Sequence, residues 1–361
     1  MSLFEPLIIG RLTLPNRVTM AALTRQRAEE DGVPTDLHVE YYAQRASAGL
    51  VVTEGTFPAF TNRAFPGQAG IADQAQQDGW RRVADEVHDR GGRIFMQIMN
   101  GGRMSHQSLT RGVVPEAPSA IASGTRVHTF DGTFDAPVPR ALGTDEIPRI
   151  VSEFVEGARR AVDAGLDGVE IHGANGYILH EFLAPTSNHR TDLYGGSPEN
   201  RARLLTEVIR AVADEVGADR TAVRISPEHN VQGTVEDDEA DVLATYGRLL
   251  DDIADLPLAY ISLLHKEPQS AITRLIREKS PAPLVFNTGF GEVTQREDAT
   301  AVVESGIADA VAVGRMLIAN PDLAQRWEHG LSLNDPEPST FYRGGAHGYT
   351  DYPAAERIAQ A

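Results

Sequence analysis

Three polar residues within six positions, His172, Asn175 and Tyr177, have the types and spacing to handle one small electrophile. A histidine ring N–H and an asparagine amide can donate to a carbonyl or nitro oxygen, while a phenol gives a proton to the far side of the same molecule. The trio follows Gly168-Val169-Glu170-Ile171, an apolar run read as a strand, so it stands just past a strand end. Gln97, Arg224 and Arg315 take the corresponding place after other apolar runs. Val223-Arg224-Ile225 and Gly314-Arg315 set cations in apolar surroundings, where an unpaired charge is expensive; an anionic ligand or a buried carboxylate would resolve that cost. The glycines of Asn287-Thr288-Gly289-Phe290-Gly291 and of Val313-Gly314 let backbone N–H groups approach phosphate oxygens, with Arg315 adding charge beside them.

The elements that must position these residues alternate along the whole chain. Strands are predicted at 18–22, 50–53, 93–99, 168–172, 222–226, 259–263, 284–288 and 310–314, and helices at 36–47, 75–89, 145–164, 198–216, 238–254, 269–279, 295–305 and 321–329. Ser197 before Pro198 and Asn320 before Pro321 predict helix N-caps. Eight β-then-α units predict an α/β chain folded as a (β/α)8 TIM barrel, with all strand C-terminal ends opening on one face. Gln97, His172, Arg224 and Arg315 would then ring one mouth, and the loops after strands seven and eight are where such barrels commonly bind phosphate. Residues 100–143 break the rhythm. They are rich in Gly, Pro, Ser and Thr and contain a predicted hairpin, 125–130 and 133–138 joined at Asp131-Gly132. A connection this long is expected to be functional, a capping insertion after strand three of a single barrel spanning 1–361.

Composition narrows the function. At 361 residues and 41% hydrophobic the chain can bury a sizeable core. A net charge of −18, from 51 acidic against 33 basic residues, opposes binding to nucleic acid or an anionic membrane. The absence of cysteine excludes disulfides, thiolate metal sites and cysteine-held clusters. No stretch approaches the ~20 apolar residues of a membrane span, and no signal peptide is seen, so a cytoplasmic protein is expected. Gly-x-Gly-x-x-Gly, Walker and His-Glu-x-x-His motifs are missing, which leaves a Rossmann site or a catalytic metal without support.

Residues 172–201, from His172-Gly173-Ala174-Asn175-Gly176-Tyr177 to Tyr194-Gly195-Gly196-Ser197, closely resemble the old yellow enzyme family of flavin-dependent ene-reductases. The likeness is to the bacterial branch of N-ethylmaleimide and pentaerythritol tetranitrate reductases. It extends to Pro15-Asn16-Arg17, Met20-Ala21-Ala22-Leu23-Thr24-Arg25, Tyr41-Tyr42-Ala43-Gln44-Arg45-Ala46, Gln97 with Gly101-Gly102-Arg103, and Gly344-Gly345-Ala346 with Gly348-Tyr349-Thr350-Asp351-Tyr352-Pro353. The resemblance implies a tightly bound FMN across the barrel mouth, its phosphate at Gly289, Gly314 and Arg315. Ala22, Leu23 and Thr24 would line the ring, Gly55 and Gln97 its pyrimidine edge, and Arg224 the N1 side, where a cation stabilises reduced flavin. It further implies ping-pong chemistry. NADPH or NADH reduces the flavin and leaves, and an activated alkene then binds His172 and Asn175, takes hydride at Cβ, and takes a proton from Tyr177 at Cα.

Phe65, Met99 and Tyr342 are expected at the substrate pocket. Phe65 stands where some relatives have tyrosine, and Gln97-Ile98-Met99-Asn100 lacks the Trp and His found after the glutamine in many of them. His180 and His189 are read as structural or surface residues. Rival readings are a nitro, nitrate-ester or quinone reductase on the same site, a flavin-holding redox partner or sensor, and an aldolase or isomerase using Lys266 beyond strand six. A monomer or a homodimer is expected, with NADPH or NADH as reductant.

Overall fold

A computed structural model describes residues 1–280 and 282–355. Its strands in chain order are β1 Leu7–Ile9, β2 Leu12–Leu14, β3 Val18–Met20, β4 Leu50–Val52, β5 Ile94–Ile98, β6 Glu116–Ala117, β7 Arg126–Thr129, β8 Gly132–Asp135, β9 Arg140–Ala141, β10 Gly168–Gly173, β11 Thr221–Ile225, β12 Tyr260–Leu264, β13 Leu284–Asn287 and β14 Ala310–Val313. The α-helices are α1 Asp36–Gln44, α2 Gln74–Asp89, α3 Ile147–Asp163, α4 Ile178–Leu183, α5 Pro198–Val216, α6 Glu239–Asp252, α7 Ala271–Lys279, α8 Arg296–Glu304, α9 Arg315–Ala319 and α10 Leu323–His329. Strands β3, β4, β5 and β10 to β14 close in that order into a parallel barrel, β14 returning to β3. The eight predicted strands are the eight staves, and the fold is the (β/α)8 barrel expected from the alternation. Among the described residues, no helix is long and apolar enough to cross a membrane.

Two apolar layers hold the barrel. The larger lies between staves and helices, where Trp80, Val83, Phe154, Ala158, Leu205, Ile209 and Tyr246 are buried against outward-facing strand residues. Helix α3 shows how the sequence forces this. Ile147, Ile150, Phe154, Ala158 and Ala161 recur at three- and four-residue spacing, so one face of the helix is apolar and buried. The smaller layer fills the barrel itself with Leu50, Val52, Phe95, Ala222, Tyr260, Val285, Ala310 and Ala312.

Below that inner layer, the β1–β2 hairpin adds Ile9 and Leu14 to the same cluster. Its two strands of three residues were not predicted; they are too short for a period-2 pattern to show. Helix α5 starts at Ser197 as expected, the side chain accepting from Asn200 N at 3.4 Å. The expected cap at Asn320 is wrong. The helix predicted at 321–329 begins at Leu323 behind Asp322, and the Asn320 amide instead donates to Met316 O and Asn334 O while accepting from Asn334 N. Its side chain therefore ties the chain after α10 back to α9.

Within 100–143, β7 and β8 pair as an antiparallel hairpin and β6 pairs with β9 in parallel. Met104, Val127 and Ala136 from this segment pack with Ala64, Phe65, Met99 and Tyr177. The insertion thus shares one buried cluster with a residue of the polar trio.

Gly10 turns the N-terminal hairpin at φ +48, and a Cβ there would stand 1.9 Å from Asp219 O. Left-handed backbone and overpacking together set the expected cost of Gly10→Ala at about 2–4 kcal/mol, a fall in Tm of roughly 5–10 °C by thermal unfolding. An unchanged Tm would show that the hairpin does not help to close the barrel.

Candidate active site

The register of the staves dictates which polar side chains meet. Gln97 pairs with Glu170 across β5 and β10, His172 with Arg224 across β10 and β11, and Arg224 with Ser262 across β11 and β12. Alternation then points Glu170 and His172 to the same side. The Arg224 guanidinium, 4% exposed, donates to Ser262 Oγ at 3.1 Å and to Asn287 Oδ1 at 3.3 Å. Glu170 accepts from Gln97 Nε2 at 2.7 Å and from Tyr260 Oη at 3.0 Å. Burial pulls the Arg224 pKa down and pushes the Glu170 pKa up, and each charge opposes the other's shift. The two charges therefore share one buried layer, each held by neutral groups. Glu170 escaped the sequence reading because it was counted into an apolar run; a carboxylate between Val169 and Ile171 was the available signal.

Above this layer, β10 ends and the chain turns into α4. Asn175 adopts φ +59, a left-handed conformation that asparagine tolerates better than most residues, and its N–H donates to Ser226 Oγ at 2.8 Å. Gly176 follows at φ +77, and its N–H donates to Nδ1 of His180 at 2.9 Å. That bond fixes the His180 tautomer with its proton on Nε2, 3.2 Å from Glu236. His180 is accordingly structural, as read, and fully buried, whereas His189 is exposed. Tyr177 sits at the N-cap of α4 with its ring 5.2 Å from that of His172.

The trio is buried, with His172, Tyr177 and Asn175 at 3%, 7% and 8% exposure. Burial first, then the Arg224 charge, holds the His172 pKa well below the usual imidazole range. The ring is therefore neutral and carries one N–H. Burial likewise pushes the Tyr177 phenol up to about 12, so it is protonated at neutral pH. His172 Nδ1 and Asn175 Oδ1 are buried with no hydrogen-bond partner. Orphan polar atoms of this kind cost about 1–3 kcal/mol each unless a ligand meets them.

The other residues expected at the site fall around the same mouth. Leu23 reaches Gly314, where an added Cβ would lie 3.5 Å from Leu23 Cδ2, which joins the ends of β3 and β14. Ala22, Leu23 and Thr24 are half-buried. Gly55 packs against Met99 and Gln97, leaving no room for a Cβ, which would meet Met99 Sδ at 2.7 Å. Phe65 stands edge-on to Tyr177 at 6.4 Å. Gly289 adopts φ +92 and its N–H donates to Asn287 Oδ1, so one asparagine links the β13 loop to Arg224.

Arg315 departs from expectation. It is half-buried rather than embedded in apolar surroundings, and its guanidinium donates to Phe290 O. Tyr342 is 59% exposed, yet it is near enough to Tyr177 to raise that phenol's pKa. Lys266 is exposed beside Glu267 and cannot serve as a barrel-mouth amine.

The donor set fits a flat, polar-edged anion such as a flavin mononucleotide: a buried cation and an amide at one edge, glycine-lined loops beside Arg315, and unpaired His172 and Asn175 above. A protein-family profile described as the NADH:flavin oxidoreductase / NADH oxidase family matches residues 2–334. A Leishmania infantum protein named probable flavin mononucleotide-dependent alkene reductase is 41% identical over 362 residues, with 97% of each chain covered. The structure of an old yellow enzyme homologue from Zymomonas mobilis is similar with a TM-score of 0.92 at 40% identity, covering 98% of this chain and 99% of that one. Morphinone reductase in complex with tetrahydroNAD gives 0.93 at 41% identity, covering 99% and 98%.

One buried carboxyl supports the trio. Glu181 Oε1 accepts from Arg103 N at 2.9 Å, and burial pushes its pKa up to about 8. A carboxyl raised in the folded state binds protons that the unfolded chain has released, so its contribution to stability is full below about pH 4.5 and is lost as pH rises towards 8. Glu181→Gln keeps the acceptor and removes the titration. The expected result is a Tm equal to wild type near pH 4 and higher than wild type at pH 8; equal Tm values at both would mean that Glu181 is not held protonated.

Proposed function

The chain belongs to the NADH:flavin oxidoreductase / NADH oxidase family, as an old yellow enzyme homologue, and from that premise we propose how its residues carry out flavin-dependent alkene reduction. It is an FMN-dependent oxidoreductase that uses a nicotinamide reductant. The chemistry that FMN supplies when bound is hydride transfer, taken from NADPH or NADH and passed from N5 to the β-carbon of an electron-poor alkene such as an enone, maleimide or nitroalkene.

Arg224 and Gln97 hold the pyrimidine edge beside Gly55, and Ala22, Leu23 and Thr24 line one face of the ring. Gly289, Gly314 and Arg315 hold the phosphate. The exposure of Arg315 suits this part, since an arginine free to turn from a backbone carbonyl can meet a phosphate oxygen. Arg224 needs no mobility: as a fixed cation at the pyrimidine edge it would stabilise a reduced flavin at no cost of reorganisation.

The observation that carries the mechanism is the buried trio with two orphan atoms. Neutral His172 donates an N–H, and the Asn175 amide, whose Oδ1 has no partner to hold it, can turn its NH2 end to the same oxygen, so charge that grows there during hydride attack meets two hydrogen-bond donors. An imidazolium in that place would be costly beside Arg224, and the lowered pKa avoids it. Tyr177 keeps its proton until a carbanion forms and then delivers it to Cα from the face opposite the flavin. Phe65, Met99 and the insertion residue Val127 pack around the phenol, and we assign the 100–143 segment the role of excluding water there. The Tyr342 side chain borders the entrance. A pure redox partner or sensor would need no buried acid of this kind.

Separating the half-reactions tests this. Tyr177→Phe is expected to leave flavin reduction by NADPH unchanged and to slow cyclohexenone turnover by about 10²–10⁴-fold; undiminished turnover would remove Tyr177 from the mechanism. In a second experiment, the His172→Ala, Asn175→Ala double variant should bind phenols at least tenfold more weakly by titration of the long-wavelength charge-transfer band. An unchanged titration would show that the pair does not hold the substrate oxygen.

A further inference from the structure

Beyond the trio, a turn after β11 carries a side chain with no role so far. Residues Val231 to Thr234 close on themselves through Thr234 N to Val231 O at 3.0 Å, with Gln232 at φ +58 and Gly233 at φ +69. Two left-handed residues in succession, one of them glutamine, make a strained turn that persists only if its surroundings hold it. Arg103 does so. Its buried guanidinium donates from Nη2 to Gln232 O at 3.3 Å and to Thr234 Oγ1 at 3.2 Å, and from Nη1 to Ile121 O at 3.2 Å. The backbone N–H of the same residue donates to Glu181 on α4, the helix that opens at Tyr177. Arg103 therefore fixes the Gln232 turn, the insertion and the Tyr177 helix relative to one another.

The turn meets the trio at its backbone. A Cβ on Gly176 would stand 2.9 Å from Gln232 Cβ and 2.9 Å from Val231 O, so the residue before Tyr177 lies directly against Gln232. This contact brings the Gln232 side chain within reach of the Tyr177 phenol, whose pKa it draws down against the effect of burial, and the Gln232 Oε1 is buried without a partner. A neighbour that draws a phenol's pKa down does so by donating to its oxygen, which makes the carboxamide NH2 the end turned to the phenol.

We propose that Gln232 is a positioning residue for Tyr177, its side-chain N–H donating to the phenol oxygen so that the phenol proton is turned towards the substrate. The proposal rests on Tyr177 being the proton donor. Tyr177 remains the group that gives the proton to Cα; Gln232 neither gains nor loses one. A donor at the oxygen also stabilises the phenolate left behind, since hydrogen bonds to a charged group are about twice as strong as neutral ones. The geometry assigns the strain of the turn a purpose: Arg103 holds an unfavourable backbone in order to aim this amide.

A double-mutant cycle tests it. The holoenzyme carrying Gln232→Leu is expected to reduce cyclohexenone about tenfold more slowly, with flavin reduction by NADPH and phenol affinity unchanged; in the Tyr177→Phe background the same substitution should cause no further loss. Gln232→Asn tolerates the left-handed backbone and withdraws the amide by one methylene, so it guards against a folding defect and should show the same pattern. A spectroscopic readout independent of turnover comes from difluorotyrosine at position 177, whose 19F titration midpoint should move upward in Gln232→Leu. Equal slowing in both backgrounds, or an unmoved midpoint, would overturn the role of Gln232 while leaving Tyr177 as the acid. If Tyr177→Phe alone had no effect on enone turnover, the acid assignment would fail first and Gln232 would fall with it.

Discussion

A guanidinium buried at the top of a parallel barrel sets the terms for the groups around it. Arg224 stands on β11 at 4% exposure, bonded to a serine and an asparagine, with Glu170 in the same layer as counter-charge. Burying such a charge is costly, and pairing it fully with Glu170 would neutralise the site. Gln97 and Tyr260 instead occupy the Glu170 carboxylate, which leaves the field of Arg224 directed at the mouth. His172 stays neutral partly because Arg224 is its register partner. The electrostatics of the barrel mouth and of the His172 imidazole thus follow from one residue.

Positioning is divided between two kinds of structure. The closed barrel brings Gln97, His172 and Arg224 together rigidly, because their spacing is the spacing of paired strands. Asn175 and Tyr177 lie outside that lattice and are fixed by local devices: a left-handed asparagine, the Gly176 N–H on His180, and the ties of Arg103 to α4, the insertion and the 231–234 turn. Of the residues proposed to meet the substrate, His172 is on a strand with the proposed cofactor-edge residues, whereas Asn175 and Tyr177 are on a loop held by buried polar groups.

Much of this was legible beforehand, for stated reasons. The staves are short apolar runs bounded by turn residues, and all eight predicted helices lie within a few residues of observed ones because amphipathic faces such as that of α3 repeat over several turns. Helix α4 was missed because every residue of Ile178–Leu183 is buried, so no polar face marks a period. Asn320 looked like a cap because an amide before a proline suits one, yet tertiary bonds to Asn334 claimed it. The strand-end residues of the site were visible through position alone. Glu170 was hidden inside an apolar run, and Gln232 lies in an aperiodic loop where nothing local reports a neighbour 55 positions away.

The central claim is that this barrel mouth holds FMN and runs two half-reactions through one pocket. The measurement that tests it most directly is the visible spectrum of the purified protein under anaerobic conditions, first with NADPH and then with cyclohexenone. The account predicts a flavin spectrum that bleaches on adding NADPH and returns on adding the enone. A protein that is colourless and takes up no FMN, or a bleached flavin that the enone leaves unchanged, would contradict it.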